Sequence, residues 1–146
     1  MNINTTRFGE IEVSDDILFE FVCPILGYED ETQFALIEHN QSSNFKWLQS
    51  TKTPNLAFVV TIAGFFDIDY SFELPEITQE ELGIQTAEDI IAFNLVVIPH
   101  DNPRNSTINL LAPIIVNITN KKAGQIVLSG TNFSVSHPLL KREGVC

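Results

Sequence analysis

The chain of 146 residues has the composition of one globular domain, with 44% hydrophobic and 18% charged residues. Its 19 acidic and 8 basic residues give a net charge of −11, which disfavours direct binding to the phosphates of nucleic acid. The sequence has no apolar run of the roughly 20 residues that a membrane helix needs. Its first residues lack the basic and apolar blocks of a signal peptide. We therefore expect a cytoplasmic protein without membrane contact.

Short alternating segments typical of β-strands fill the first half of the chain. A hairpin is predicted around Phe8 and Gly9. The predicted strands of this half are 3–7, 10–13, 17–21, 34–38, 45–50 and 56–62. The last of these strands is apolar on both faces, which is typical of a strand that is enclosed on both sides.

The second half continues the β pattern around one helical signal. Thr78-Gln-Glu-Glu81 before Leu82-Gly83 is a capping-box pattern that predicts one short helix. Pro113 cannot donate to a strand ladder, so it predicts an edge position or a bulge. The predicted strands are 70–74, 92–98, 108–117 and 125–128, with turns at 120–124 and 129–132.

About ten short strands, one short helix and no repeat predict an all-β fold, a small antiparallel β-barrel-like single domain. Closure into a barrel would remove the edges of the many apolar strands. The predicted domain spans residues 1–136, and residues 137–146 are predicted to form a basic, mobile C-terminal tail. We expect a monomer, with Cys23 and Cys146 as free thiols.

The sequence shows no motif for catalysis or for binding a cofactor. Asp67 and Asp69 share a strand face, but without a third carboxylate and a glycine turn they indicate a solvated strand end rather than a cation site. Cys23 precedes a proline and has no histidine tied to it in sequence. We therefore expect neither an enzyme nor a cofactor. The alternative is a β-barrel without catalytic activity that binds a small apolar ligand in its interior.

The charge is unevenly distributed along the chain. Residues 1–103 hold 18 acidic and 3 basic side chains, a net charge of −15, whereas residues 104–146 hold 1 acidic and 5 basic, a net charge of +4. Such an acidic surface attracts a basic protein partner and speeds their encounter. Plain solubility is the competing interpretation.

Several motifs, in this order and at these spacings, resemble the flagellar assembly factor FliW family nearly from end to end. The most diagnostic stretch joins Phe45-Lys-Trp47-Leu48-Gln49-Ser50 to Pro54 and to Leu56-Ala57-Phe58-Val59-Val60. The other matching motifs are Phe8-Gly9-Glu10, Gly27-Tyr28-Glu29, Asp69-Tyr70, Glu81-Leu82-Gly83-Ile84, Asn109 to Ile114, Gly124 to Leu128, and His137-Pro138-Leu139.

The resemblance implies a non-enzymatic regulator of flagellum building. Members of the family bind flagellin, and they bind CsrA, a small RNA-binding translational repressor that blocks flagellin synthesis. Flagellin occupies the regulator until it is secreted. The released regulator then captures CsrA, and translation of flagellin resumes. A net charge of −11 fits association with a basic repressor.

Partner contacts are predicted at polar and loop residues inside the matching motifs, whereas Trp47, Phe58 and Leu110 are predicted to be core. The predicted contact residues are Gln49, Ser50, Pro54, Asn55 and Asn109, with Leu48 added if its face is the outer one. Glu29, Asp30 and Glu31 are predicted to meet a basic partner.

Overall fold

The computed structural model describes residues 1–38 and 43–139, which form eleven strands and one α-helix. The strands are β1 Asn2–Thr5, β2 Gly9–Glu12, β3 Leu18–Cys23, β4 Gln33–Glu38, β5 Phe45–Ser50, β6 Ala57–Thr61, β7 Ile90–Val97, β8 Thr107–Ile108, β9 Ile114–Asn117, β10 Lys122–Gln125 and β11 His137–Pro138. The helix α1 is Glu76–Glu81, and short 3-10 helices span Asp15–Ile17, Ala63–Phe66, Ala87–Asp89 and Pro103–Asn105. Within the described residues, no helix has the length and apolar character needed to cross a membrane.

Seven of the strands close into a barrel. β3 to β7 pair in sequence order, β7 also pairs with β9, β9 with β10, and β10 with β3. The pairing of β10 with β3 is parallel, and the other pairings of the ring are antiparallel. The predicted all-β barrel is therefore confirmed. β8 and β11 extend from β7, and β1 and β2 form the predicted hairpin.

Aromatic and aliphatic side chains fill the barrel interior. Phe21 and Phe34 meet edge to face with ring centroids 5.0 Å apart, and Phe34 is completely buried. The other buried members of this inner cluster are Phe19, Ile25, Leu48, Val60, Phe93, Ile114, Val116 and Ala123.

The outer face of the barrel carries three further apolar clusters. The hairpin β1–β2 places Ile3 over β3 and β4. Residues 63–72 and 133–139 cover Val96 and Ile108. The end of α1 places Leu82 over Ile115 of β9. The barrel strands are therefore apolar on both faces because elements outside the ring bury the second face.

Two predicted elements of residues 70–85 differ in the structure. Residues 70–74 are not a strand: Tyr70 packs into one outer cluster and Phe72 and Leu74 into another, so side chains rather than ladder hydrogen bonds hold the segment. α1 begins earlier than predicted, after Pro75, and the buried Thr78 lies inside it rather than capping it. Its end at Leu82-Gly83 is confirmed by the left-handed φ of Gly83, +64°.

The predicted strand 108–117 is interrupted. β8 ends at Ile108 and β9 begins at Ile114, because the Asn109 side-chain Oδ1 accepts the N–H groups of Leu111 and Ala112 and turns the chain. Pro113 lies in this interruption rather than at a bulge within a strand.

The C-terminal part of the chain differs from the prediction in two places. β10 begins at Lys122, earlier than the predicted start at residue 125, after Lys121 in a left-handed conformation. Of the predicted tail, His137 and Pro138 pair with β8 and Leu139 is buried, so these three residues are part of the fold. Residues 140–146, which include Cys146, lie outside the described residues.

A substitution at Gly124 tests how closely the parallel strands β3 and β10 approach each other. A Cβ atom at this position would lie 2.6 Å from the Cβ of Cys23 on β3, whereas a Cβ at Gly64 meets open space. We expect Gly124→Ala to lower the free energy of unfolding by about 1–3 kcal/mol, because β3 and β10 must move apart. The matched change Gly64→Ala should leave it within about 1 kcal/mol of the unsubstituted protein. Urea unfolding of the two variants measures these changes. Equal unfolding midpoints for Gly124→Ala and Gly64→Ala would contradict the close approach of β10 to β3.

Candidate partner-binding site

A buried glutamine shapes the loop of residues 51–55 between β5 and β6. The Gln49 amide Nε2 donates to the backbone carbonyls of Ser50, Pro54 and Leu56 at 3.1, 3.1 and 3.2 Å. The side chain is completely buried on the outer face of the barrel, under the loop that it organises. Gln49 therefore fixes the loop conformation rather than offering a contact to a partner.

Glu31 ties the acidic segment 29–31 to the same loop. Ser50 Oγ donates to Glu31 Oε1 at 2.5 Å, and Thr53 Oγ1 donates to Glu31 Oε2 at 2.8 Å. Ser50 Oγ also accepts the N–H groups of Lys52 and Thr53. The hydrogen bond from Ser50 is the largest cause of a lowered pKa for Glu31. Two neighbouring loops are therefore held together through one carboxylate.

The predicted contact residues divide into buried and exposed groups. Leu48 faces the barrel interior, so the condition on which it is predicted as a contact is not met, and the side chains of Gln49 and Ser50 are also buried in the free protein. A sequence motif does not show which strand face is covered, so it cannot separate such residues from exposed ones. The exposed predicted residues, Glu29, Asp30, Pro54 and Asn55, lie on the two linked loops and are named here the acidic-loop surface.

Asn109 lies apart from the acidic-loop surface. It is half-buried, its side chain stabilises the turn before β9, and its carbonyl accepts from Asn94 Nδ2 at 2.8 Å. It also lines an open groove of about 670 Å³ beside β6, β7 and β8. The structure therefore gives Asn109 a structural role beside a groove that the sequence did not reveal.

The groove is lined largely by apolar side chains. Trp47 lies at the groove, half-buried on the outer face of β5 rather than in the core as predicted. The Arg7 guanidinium lies 4.1 Å from the Trp47 ring centroid, and the Phe8 ring meets Trp47 edge-on at 6.4 Å. Phe58 is half-buried and packs towards the inner cluster, and Leu110 is buried as predicted. The other lining residues include Ala57, Val59, Val97, Ile98, Pro99, His100, Thr107 and Val135.

The environments of Cys23, Asp67 and Asp69 do not favour a reactive thiol or a metal site. Cys23 Sγ donates to Glu81 Oε2 at 2.9 Å, and burial, with the neighbouring Glu81 carboxylate, raises the pKa of the thiol to about 11. Asp67 and Asp69 are exposed, and no group of three or more His, Cys, Asp or Glu side chains in the described parts of the chain could hold a metal ion.

Comparison with known structures shows what kind of protein has this architecture. A crystal structure of the flagellar assembly factor FliW matches the chain with a TM-score of 0.89 at 29% identity, covering 98% of this chain and 99% of that one. The closed barrel wrapped by a hairpin, a short helix and two segments is therefore the architecture of a flagellar assembly factor.

Sequence comparisons give the same result. The family model described as FliW protein matches residues 2–139. The flagellar assembly factor FliW of Leptospira biflexa is 39% identical over 97% of this chain and 92% of its own length, and that of Syntrophus aciditrophicus is 38% identical over 98% and 90%. That of Alkaliphilus metalliredigens is 34% identical over 97% and 87%. The chain belongs to the FliW family.

The Glu31 carboxylate predicts a pH dependence of stability. Because its pKa is lower in the folded protein than the ordinary value of 4.5, its hydrogen bonds stabilise the fold above that value, and the stabilisation is lost as pH falls through the lowered pKa. We expect Glu31→Gln to destabilise the protein at neutral pH and to flatten the loss of stability below pH 4.5.

Urea unfolding of the unsubstituted and Glu31→Gln proteins at a series of pH values measures this effect. Asp89, whose pKa is also lowered, is present in both proteins and cancels in the difference. Glu29→Gln, a change of the same kind at an exposed position, is the matched control. A constant difference between the unsubstituted protein and Glu31→Gln across this range would contradict the role assigned to Glu31.

The Cys23 thiol should react slowly. With a pKa of about 11, only about one thiol in a thousand is ionised at pH 8. In a Cys146→Ser background, we expect alkylation of Cys23 by iodoacetamide to be far slower than that of a model thiol. Glu81→Gln should accelerate the alkylation, because it removes the carboxylate that opposes the thiolate. Fast alkylation of the folded protein would restore Cys23 as a candidate nucleophile.

Proposed function

We propose that this protein is a cytoplasmic regulator of flagellum assembly that binds flagellin and, when free of it, binds and antagonises the translational repressor CsrA, so that flagellin is translated. The observation that carries the proposal is the match to flagellar assembly factors along nearly the whole chain. In this role the protein acts by binding, as a monomer, without catalysis, a cofactor or direct contact with nucleic acid.

The charge of the protein supports binding to CsrA. A domain with a net charge of −11 attracts a basic RNA-binding protein and speeds their encounter. Once docked, its negative field opposes the approach of RNA to the repressor. The acidic-loop surface supplies two exposed carboxylates, Glu29 and Asp30, on a backbone that Glu31 anchors to the loop 51–55.

The alternative function, binding of a small apolar ligand inside the barrel, has less support. Phe34, Leu48 and Val60 are completely or almost completely buried within the inner cluster, and large side chains occupy the space that a ligand would need. A thermal-shift screen compares the two functions, because a ligand that binds only the folded state raises its melting temperature.

A binding competition tests the proposal. With purified flagellin and CsrA of the same organism, we expect the protein to bind each one, and a preformed complex with flagellin to bind CsrA at least about tenfold more weakly than the free protein does. The affinity for CsrA should fall as salt rises, because exposed charges steer the association. Isothermal titration calorimetry measures these affinities.

Charge reversal tests whether CsrA contacts the acidic-loop surface. We expect Glu29→Lys with Asp30→Lys to weaken CsrA binding by about tenfold or more. Asp15→Lys with Asp16→Lys makes the same change of charge at another exposed acidic pair and should have the smaller effect. Equal losses in the two double variants would show that only net charge matters. Stabilisation by a metabolite together with no binding of either protein would overturn the proposed function.

A further inference from the structure

We infer that the groove beside Trp47 is the docking site for flagellin, and that it receives an apolar segment carrying a carboxylate, whereas CsrA docks elsewhere. This inference rests on the proposed function and assigns one of its two partners to a surface. Three observations support it: the exposure of the apolar lining, the sign of its charge and the size of the groove.

The groove lies at the Val97 end of β7, beside β6 and β8, where the wrapping elements leave apolar side chains exposed. Elsewhere the hairpin β1–β2 and α1 cover outer side chains such as Leu18, Ala35 and Ile115. Along the groove, Val97, Val135 and Ile98 remain 65%, 58% and 43% exposed. Contiguous apolar side chains exposed in this way mark an interaction site, because burying them against a partner is favourable.

The charge of the groove selects between the two partners. The protein has 19 acidic residues, yet none is among the lining residues that the structure describes, and Arg7 is the lining residue with a permanent positive charge. Its guanidinium lies 4.1 Å from the Trp47 ring centroid, which places the charge at the groove. An apolar segment with a carboxylate complements this lining, whereas a basic repressor would find no carboxylate there and would meet Arg7.

The size of the groove fits one segment of a partner. Its volume of about 670 Å³ accommodates a few apolar side chains from a single helix or strand. A second copy of this chain is a less suitable occupant, because each copy carries a net charge of −11 and two copies repel one another.

A matched pair of substitutions tests the apolar contact. Val97→Glu places a charge in the groove at a side chain that is 65% exposed, and Ile77→Glu makes the same change on α1 at a side chain that is 64% exposed. We expect Val97→Glu to weaken flagellin binding by about tenfold or more and to leave CsrA binding within about twofold, whereas Ile77→Glu changes neither. Val135→Glu, in a loop lining the same groove, repeats the test if Val97→Glu alters the melting temperature.

A second pair of substitutions tests the role of the positive charge of Arg7. Arg7→Gln should weaken flagellin binding and reduce its dependence on salt, because the carboxylate of the bound segment loses its partner. Lys122→Gln removes an exposed positive charge that is not among the lining residues and should preserve both the affinity and the salt dependence.

The outcomes separate the inference from the proposed function. If the unsubstituted protein binds flagellin and Val97→Glu and Val135→Glu bind it equally well, the groove is not the site, although the proposed function stands. If Val97→Glu weakens CsrA binding instead, the groove belongs to the repressor and the inference is wrong. If sedimentation shows concentration-dependent dimers that Val97→Glu abolishes, the groove serves a second copy. If the unsubstituted protein binds neither partner, the proposed function fails together with the inference.

Discussion

Closure of the seven-stranded sheet is the constraint on which the other features of the molecule depend. β7 pairs with β6 along one side and with β9 along the other, so the ring has an inside and an outside. The barrel strands are apolar on both: on β6, Val60 points into the inner cluster and Val59 into an outer one. The inner face is filled by phenylalanines, so the outer face must be buried by elements that are not in the ring. The hairpin β1–β2, α1 and the segments 63–72 and 133–139 supply that cover.

The positions of the groove and of the acidic-loop surface depend on where the elements outside the ring stop covering the barrel and on how the loop 51–55 is held. Beside β6, β7 and β8 the wrapping elements leave an apolar strip exposed, and this strip is the groove. At the end of β5, Gln49 and Glu31 satisfy backbone and side-chain groups of the loop 51–55, so that Pro54 and Asn55 are presented on an ordered backbone. Buried polar side chains thus determine the shape of a surface that they do not themselves form.

The sequence predicted those parts of the fold that depend on local pattern. β4, β5 and β6 are short segments rich in aromatic and aliphatic residues and bounded by polar residues, so their existence and approximate limits could be predicted. The interruption at Asn109 depends on a side-chain turn inside an apolar run, and residues 70–74 alternate without a neighbouring strand, so both were wrongly predicted as strand. The contact of Glu31 with Ser50 joins residues 19 positions apart, and only the folded chain shows that Ser50 is buried. The predicted contact residues of the motif lie on or under the loop 51–55, but the division into buried supporting residues and exposed residues required the structure.

The turn between β1 and β2 contacts both the groove and the loop that carries part of the acidic-loop surface. Arg7 in this turn lies over Trp47 at the groove. The neighbouring Thr6 N–H donates to the Pro54 carbonyl at 2.9 Å, in the loop that adjoins the acidic segment. A segment that docks in the groove and engages Arg7 therefore acts on a turn that is hydrogen-bonded to the loop 51–55. If flagellin and CsrA bind the two surfaces as proposed, coupling through this turn would be reciprocal by thermodynamic necessity, and the two partners would exclude one another without sharing a contact residue.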